Sequence, residues 1–249
     1  MLARSLQTLL ARLIDYAGLF PPAALPMEQA IDNYRRYRDG EYAWMLGRFV
    51  VPAARAAEVP SDVAVSVIGV DEVKASTEED VHRIGNEAGE RTVYVEVTDV
   101  DLLEHIALHN LRAKIRTGGV TTDAFPSSND IADFMRRCAR HGVAFKATAG
   151  LHHPVRCVRP LTYEPAAPHG TMHGFVNVFM AAALLPRAEA ILEDDDPSAF
   201  QFDDDTASWR GHAVLTRDLE KLRNEFAISF GSCSFDEPIN DLKELGWLS

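Results

Sequence analysis

The chain predicts an α/β fold, a single-domain (β/α)8 TIM-type barrel spanning residues 1–249, and three observations carry that expectation. Its 249 residues match the size of one such barrel. Strand and helix signals alternate along much of the chain. The strands are apolar throughout, as those of a parallel sheet covered on both faces must be. A doubly wound open sheet is the alternative arrangement.

Leu2, Leu6, Leu9, Leu10 and Leu13 form a helical stripe, interrupted by Arg4, Gln7 and Arg12, which reads as a first helix rather than a secretion signal. Residues 15–20 are expected to be a short strand closed by Pro21 and Pro22, and 27–38 a helix stopped by Gly40. Residues 44–51 and 63–70 read as buried strands. The helix at 77–88 opens on Glu78, Glu79 and Asp80, acids that complement a helix amino terminus. Then come a strand at 92–98, a helix at 99–110, a strand at 112–117, a helix at 129–141 stopped by Gly142, and a strand at 143–148. The carboxyl half is less regular: a proline-rich loop at 154–168, a buried helix at 172–185, a strand at 199–202, a last strand at 226–232 and a helix at 239–245. Counting 15–20 as the first strand and 199–202 as the seventh supplies the eight that a barrel needs.

A composition of 47% hydrophobic and 25% charged residues supports a large core rather than disorder. The net charge of -12 would repel nucleic acid and anionic membranes, so neither is expected as a partner. The longest apolar run, residues 175–185, is well short of the roughly 20 residues that cross a bilayer. Cys138, Cys157 and Cys233 are too few and too scattered for a disulfide framework, which fits a reducing cytoplasm. A homo-oligomer is compatible with this composition.

Two runs repeat one device: Lys114-Ile-Arg-Thr-Gly118 and Lys146-Ala-Thr-Ala-Gly150 each place a lysine four residues before a glycine at a strand end. Side chains alternate with a period of two along a strand, so Lys114 and Arg116 share a face, as do Lys146 and Thr148. By the same parity Glu96 leaves the apolar face of Val93, Val95 and Val97. In a barrel, Glu96, Lys114, Arg116 and Lys146 then point into the lumen near its carboxyl-terminal mouth, where barrel enzymes build active sites. One acid and three bases leave a positive excess that a substrate anion would offset. Crowding by cations lowers a lysine pKa, which makes Lys114 the expected nucleophile toward a ketone or aldehyde, with Glu96 or a histidine moving protons.

The two runs resemble the class I aldolases of the deoxyribose-phosphate aldolase type, in which Lys-Thr-Ser-Thr-Gly and Lys-Ala-Ser-Gly-Gly occupy successive strands. The resemblance implies a barrel fold, a Schiff base on Lys114 and a pKa-lowering role for Lys146. It also likens Gly231-Ser232-Cys233-Ser234 to the Gly-x-Ser-Ser phosphate turn of that family, with Gly231, Ser232 and Ser234 as an anion cradle. Arg116 and Ala149 depart from the family pattern. The substrate expected is a small anionic carbonyl compound, handled without a cofactor, and Gly118 and Gly150 join Arg116 and Thr148 in binding it.

His152 and His153 follow the second run directly and are expected to carry protons. His169 and His173 stand four apart, and with that pair they offer a rival reading, a metal-assisted hydrolase or isomerase. The run from His169 to His173 lacks the glutamate of a His-Glu-x-x-His site, and a cationic lumen repels a metal, so no metal ligand is assigned. His173 and Asn177 are expected to touch substrate. The third reading is a non-catalytic barrel that binds an anionic metabolite.

Overall fold

Eight parallel strands close into a barrel in a computed structural model of the protein, which describes residues 2–248. Seven of them come in chain order: β1 (Ile14–Tyr16), β2 (Leu46–Pro52), β3 (Val65–Ile68), β4 (Glu72–Ala75), β5 (Tyr94–Val97), β6 (Arg112–Arg116) and β7 (Phe145–Thr148). A two-stranded antiparallel sheet of β8 (Cys157–Pro160) and β9 (His169–Met172) follows, inside the expected proline-rich loop and just after it. A three-stranded antiparallel sheet comprises β10 (Phe200–Phe202), β11 (Thr206–Trp209) and β12 (His212–Leu215). The eighth barrel strand, β13 (Ala227–Ser232), pairs with β1 on one side and β7 on the other and closes the ring.

The helices are α1 (Arg4–Leu10), α2 (Met27–Arg38), α3 (Glu78–Ala88), α4 (Leu103–Leu108), α5 (Ser128–His141), α6 (Phe175–Ala183), α7 (Ala188–Glu193), α8 (Thr216–Glu225) and α9 (Asp236–Glu244). Local chemistry explains the best-defined ends. The Thr77 hydroxyl accepts from the Asp80 amide at the start of α3, and Ser127 and Asp130 form a reciprocal capping box on α5, which Gly142 ends at φ 66°. No helix among the described residues is long and apolar enough to cross a membrane.

Two strand expectations are corrected. Residues 199–202 do not supply the seventh barrel strand, because β10 pairs with β11 in the separate antiparallel sheet. The missing barrel member is β4, three residues beyond β3 and parallel to it, with Ile68 opposite Glu72 as their single register pair. The chain reaches the neighbouring position by a sideways jog at Gly69, Val70 and Asp71 rather than through a helix. Gly69 stands at φ +98°, and its amide bonds the Glu72 carbonyl at 2.7 Å. A parallel neighbour normally needs a crossover of a dozen or more residues, so a second barrel strand is not expected after so short a step. Helix α8 and strands β11 and β12 were likewise not anticipated.

The outward residues Val95, Ala113, Ile115, Phe145, Ala147 and Phe230 are buried beneath the surrounding elements. On β5, β6 and β7 the alternate, inward positions include Glu96, Lys114 and Lys146, as the period of two requires.

Candidate active site

One ladder row runs across four adjacent strands. Lys74 is opposite Glu96, Glu96 opposite Lys114, and Lys114 opposite Lys146. The parity reading therefore places Glu96, Lys114 and Lys146 side by side on β5, β6 and β7, and all three are buried. Arg116 and Thr148 pair one step higher, toward the carboxyl ends of the strands.

The expected excess of positive charge is corrected by two further carboxylates. Glu72 enters from β4 and Asp15 from β1, both buried. Lys146 Nζ lies 2.7 Å from Asp15 Oδ2 and 2.7 Å from Glu72 Oε1. Lys114 Nζ lies 3.1 Å from Glu72 Oε2 and 3.0 Å from Glu96 Oε2. Three carboxylates thus face two buried ammonium groups, and the crowding of Lys114 by cations is offset at close range. Buried charges persist only when paired in this way.

Further contacts hold the carboxylates. Asp15 Oδ2 also accepts from the Ser229 hydroxyl, and Oδ1 from the Arg48 amide at 2.8 Å. Gly47 is required beside it, since a Cβ there would meet Asp15 Oδ1 at 2.2 Å. Ser66 donates to Glu72 Oε1 at 2.7 Å. Burial acts to raise the Glu72 pKa, but Lys146 and Lys114 outweigh it and bring the value down to about 2. Burial acts to lower the Lys146 pKa, and there Asp15 and Glu72 prevail, holding it above the ordinary lysine range. Glu96 also falls below its ordinary value, with Lys114 the main cause against burial.

Above this network a cavity of about 320 Å³ opens at the carboxyl-terminal mouth. Glu72, Glu96, Lys114 and Lys146 contribute to its lining, with Phe20, Pro21, Val50, Ile68 and Val120 as apolar wall. Lys74 and the half-exposed Arg116 also line it, at 3.2 and 3.7 Å from Glu96 Oε1. Thr148, Gly150, Gly231 and His152 reach the cavity as well. A space of this size admits a small molecule.

The shared lysine-to-glycine spacing has a packing cause. A Cβ on Gly118 would come within 2.9 Å of the Gly150 Cα, and one on Gly150 within 2.7 Å of the Gly118 Cα. Gly150 also stands at φ +73°. These glycines let the two strand ends touch, and Gly118 is absent from the cavity lining.

Other expected residues separate. His152 Nδ1 donates to Glu237 Oε2 at 3.0 Å, and His153 Nδ1 to Asp241 Oδ2 at 2.5 Å, both acceptors on α9. His153 does not line the cavity. His173 donates through Nε2 to the Pro126 carbonyl at 2.9 Å and lies outside the cavity. Asn177, fully buried, donates to the Ile191 and Asp194 carbonyls and accepts from the Arg156 amide, a joint between α6 and α7 with no opening to the mouth. The four histidines therefore do not converge. Among the described residues no group of three or more histidine, cysteine, aspartate or glutamate side chains is arranged to hold a metal ion.

Gly231 and Cys233 line the mouth, whereas Ser232 and Ser234 do not. The Ser234 hydroxyl instead accepts from the Glu237 amide at 3.1 Å, and Asp236 and Glu237 occupy the first turn of α9. Two acids at that helix start oppose a second anion there. Glu72 and Asp15 are the site residues that sequence reasoning missed or left open. The signal available for Glu72 was its parity with Lys74 in a short alternating segment.

No protein-family model and no curated protein matches the chain.

Proposed function

We propose that the protein is an enzyme acting on a small anionic carbonyl compound at the carboxyl-terminal mouth, a Schiff-base carbon–carbon lyase of the aldolase kind with Lys114 as nucleophile. One observation carries the reading: Lys114 Nζ contacts Glu96 Oε2 at 3.0 Å in the lining of the cavity. A carboxylate so placed takes the ammonium proton as the amine attacks.

In this scheme Arg116 pairs with the substrate anion at the rim. Lys114 passes one proton to Glu96, and its nitrogen bonds to the carbonyl carbon as the C=O π pair moves to oxygen. A second nitrogen proton transfers to that oxygen to give a neutral carbinolamine. Glu96 returns that proton to the hydroxyl, which leaves as water, and the nitrogen lone pair completes the iminium. The adjacent carbon–carbon bond then breaks, its electron pair moving toward the iminium nitrogen to give an enamine. His152, held by Glu237, takes the proton from the departing hydroxyl as it becomes an aldehyde. Protonation of the enamine carbon and addition of water release the second product and regenerate Lys114. Lys146 stays charged between Asp15 and Glu72 and keeps both carboxylates ionised beneath the cavity. The likeness of both lysine runs to the deoxyribose-phosphate aldolase type supports the same role for Lys114. The three free cysteines support a reducing cytoplasm as its location.

Borohydride reduction in the presence of pooled small keto and aldehyde acids and phosphates, read by peptide mass, tests this reading. A reduced adduct on Lys114, lost in Lys114→Arg, is the expected result. No adduct with any carbonyl compound shown to bind overturns the Schiff base. Binding without turnover would instead favour the metabolite-binding barrel.

A further inference from the structure

The opposite end of the barrel holds a second and larger cavity, about 710 Å³. It opens among the amino-terminal ends of the strands, lined by Ser66 of β3, Tyr94 of β5, Arg112 of β6 and Ser229 of β13. Four arginines line it: Arg12, Arg48, Arg91 and Arg112. Among the described residues none of these guanidiniums is in an ion pair. Arg48 donates to the Val65 carbonyl, Arg91 to the Ala88 and Glu87 carbonyls, and Arg112 to the Tyr94 hydroxyl. The Arg12 guanidinium makes no hydrogen bond among the described residues.

Only two carboxylates line the same cavity, and among the described residues neither is ion-paired with any of the four arginines. Asp15 is taken by Lys146, Ser229 and the Arg48 amide, and Asp71 accepts from the Val67 amide. A chain with net charge -12 has acids to spare, yet these four cations are left without one. Guanidinium forks of this kind suit phosphate oxygens, which accept two parallel hydrogen bonds and carry enough charge to answer several cations at once.

We propose that the amino-terminal mouth of the barrel is a binding site for a small phosphate-bearing polyanion, distinct from the carboxyl-terminal site and independent of the reaction performed there. Its ligand rests on Arg12, Arg48, Arg91 and Arg112. Asp15 and Lys146 of the network that crosses the lumen also border this cavity.

Calorimetric titration of the full chain with inorganic pyrophosphate at low salt and neutral pH tests the site. One binding event is expected, weakened about tenfold or more in the Arg48→Gln/Arg91→Gln double variant, since hydrogen bonds to charged groups are each worth roughly a factor of ten. Arg116→Gln, at the other mouth, should leave it unchanged. Arg12→Gln disturbs no hydrogen bond of the fold, and a loss of affinity there gives the same answer if circular dichroism shows the double variant to be unfolded. Absence of binding overturns the proposal, as does binding that Arg116→Gln abolishes while the arginine variants retain it. Citrate binding in place of pyrophosphate overturns the phosphate assignment.

Discussion

Lys114 and Lys146 share one carboxylate: Glu72 Oε2 lies 3.1 Å from the first amine and Oε1 2.7 Å from the second. Each lysine then takes a second acid of its own, Glu96 for Lys114 and Asp15 for Lys146. Glu72 is therefore the residue through which the two halves of the network meet.

Glu72→Gln should cost about 3–5 kcal/mol in urea unfolding, since removing one member of a buried ion network leaves its partners uncompensated. Glu72→Gln combined with Lys146→Met should cost less than the two single changes added together, because the groups are in contact. Additive losses would mean that the two residues do not act as a unit.

Acid should weaken the fold over a defined window. Glu72, at about 2 when folded against 4.5 as a free side chain, binds fewer protons in the native state than in the unfolded one. Its contribution is complete above pH 4.5 and is lost as pH falls toward 2; Glu96 and Glu237, also lowered, act in the same sense. The raised Lys146 works oppositely, stabilising below its free value of 10.5 and losing that contribution only above it. Urea midpoints measured from pH 7 to pH 2 should decline below pH 4.5, and a flat profile would contradict the network.

Gly150→Ala should destabilise by about 1–3 kcal/mol through both the backbone contact and the positive φ, with Gly118→Ala acting through contact alone. Thermal unfolding of the two variants gives the comparison. Equal stability to the parent chain would show that the two strand ends need not touch.

Asn177→Ala and Arg116→Gln should separate structure from binding. Removing the buried Asn177 amide strands the partners of its three hydrogen bonds and should cost about 2–4 kcal/mol, while adduct formation on Lys114 persists in the folded fraction. Arg116, half exposed at the rim, should change stability by less than about 0.5 kcal/mol and yet weaken anionic substrate binding. Denaturant curves alongside borohydride trapping and ligand titration distinguish the two.

The row of Glu96, Lys114 and Lys146 was legible because it depends only on strand parity and strand adjacency, both local properties. The histidines were less so. His152, His153 and His173 cluster along the chain, but their partners Glu237, Asp241 and Pro126 come from other elements. Asn177 illustrates the same limit, since a buried amide is equally suited to substrate or to free carbonyls, and only the packing of α7 beside α6 assigns it.

By itself the sequence determined the alternation of strands and helices and the inward face of β5, β6 and β7. The tertiary structure alone decided that β4 follows β3 by a jog, that β10 leaves the barrel, and that Asp15 meets Lys146 across 131 residues of chain. The reason is physical: side-chain periodicity repeats every two residues and is written locally, whereas barrel closure pairs distant segments. The site that began as three cations awaiting an anion is, after closure, a balanced ion network with Lys114 beside Glu96 in the lining of the cavity.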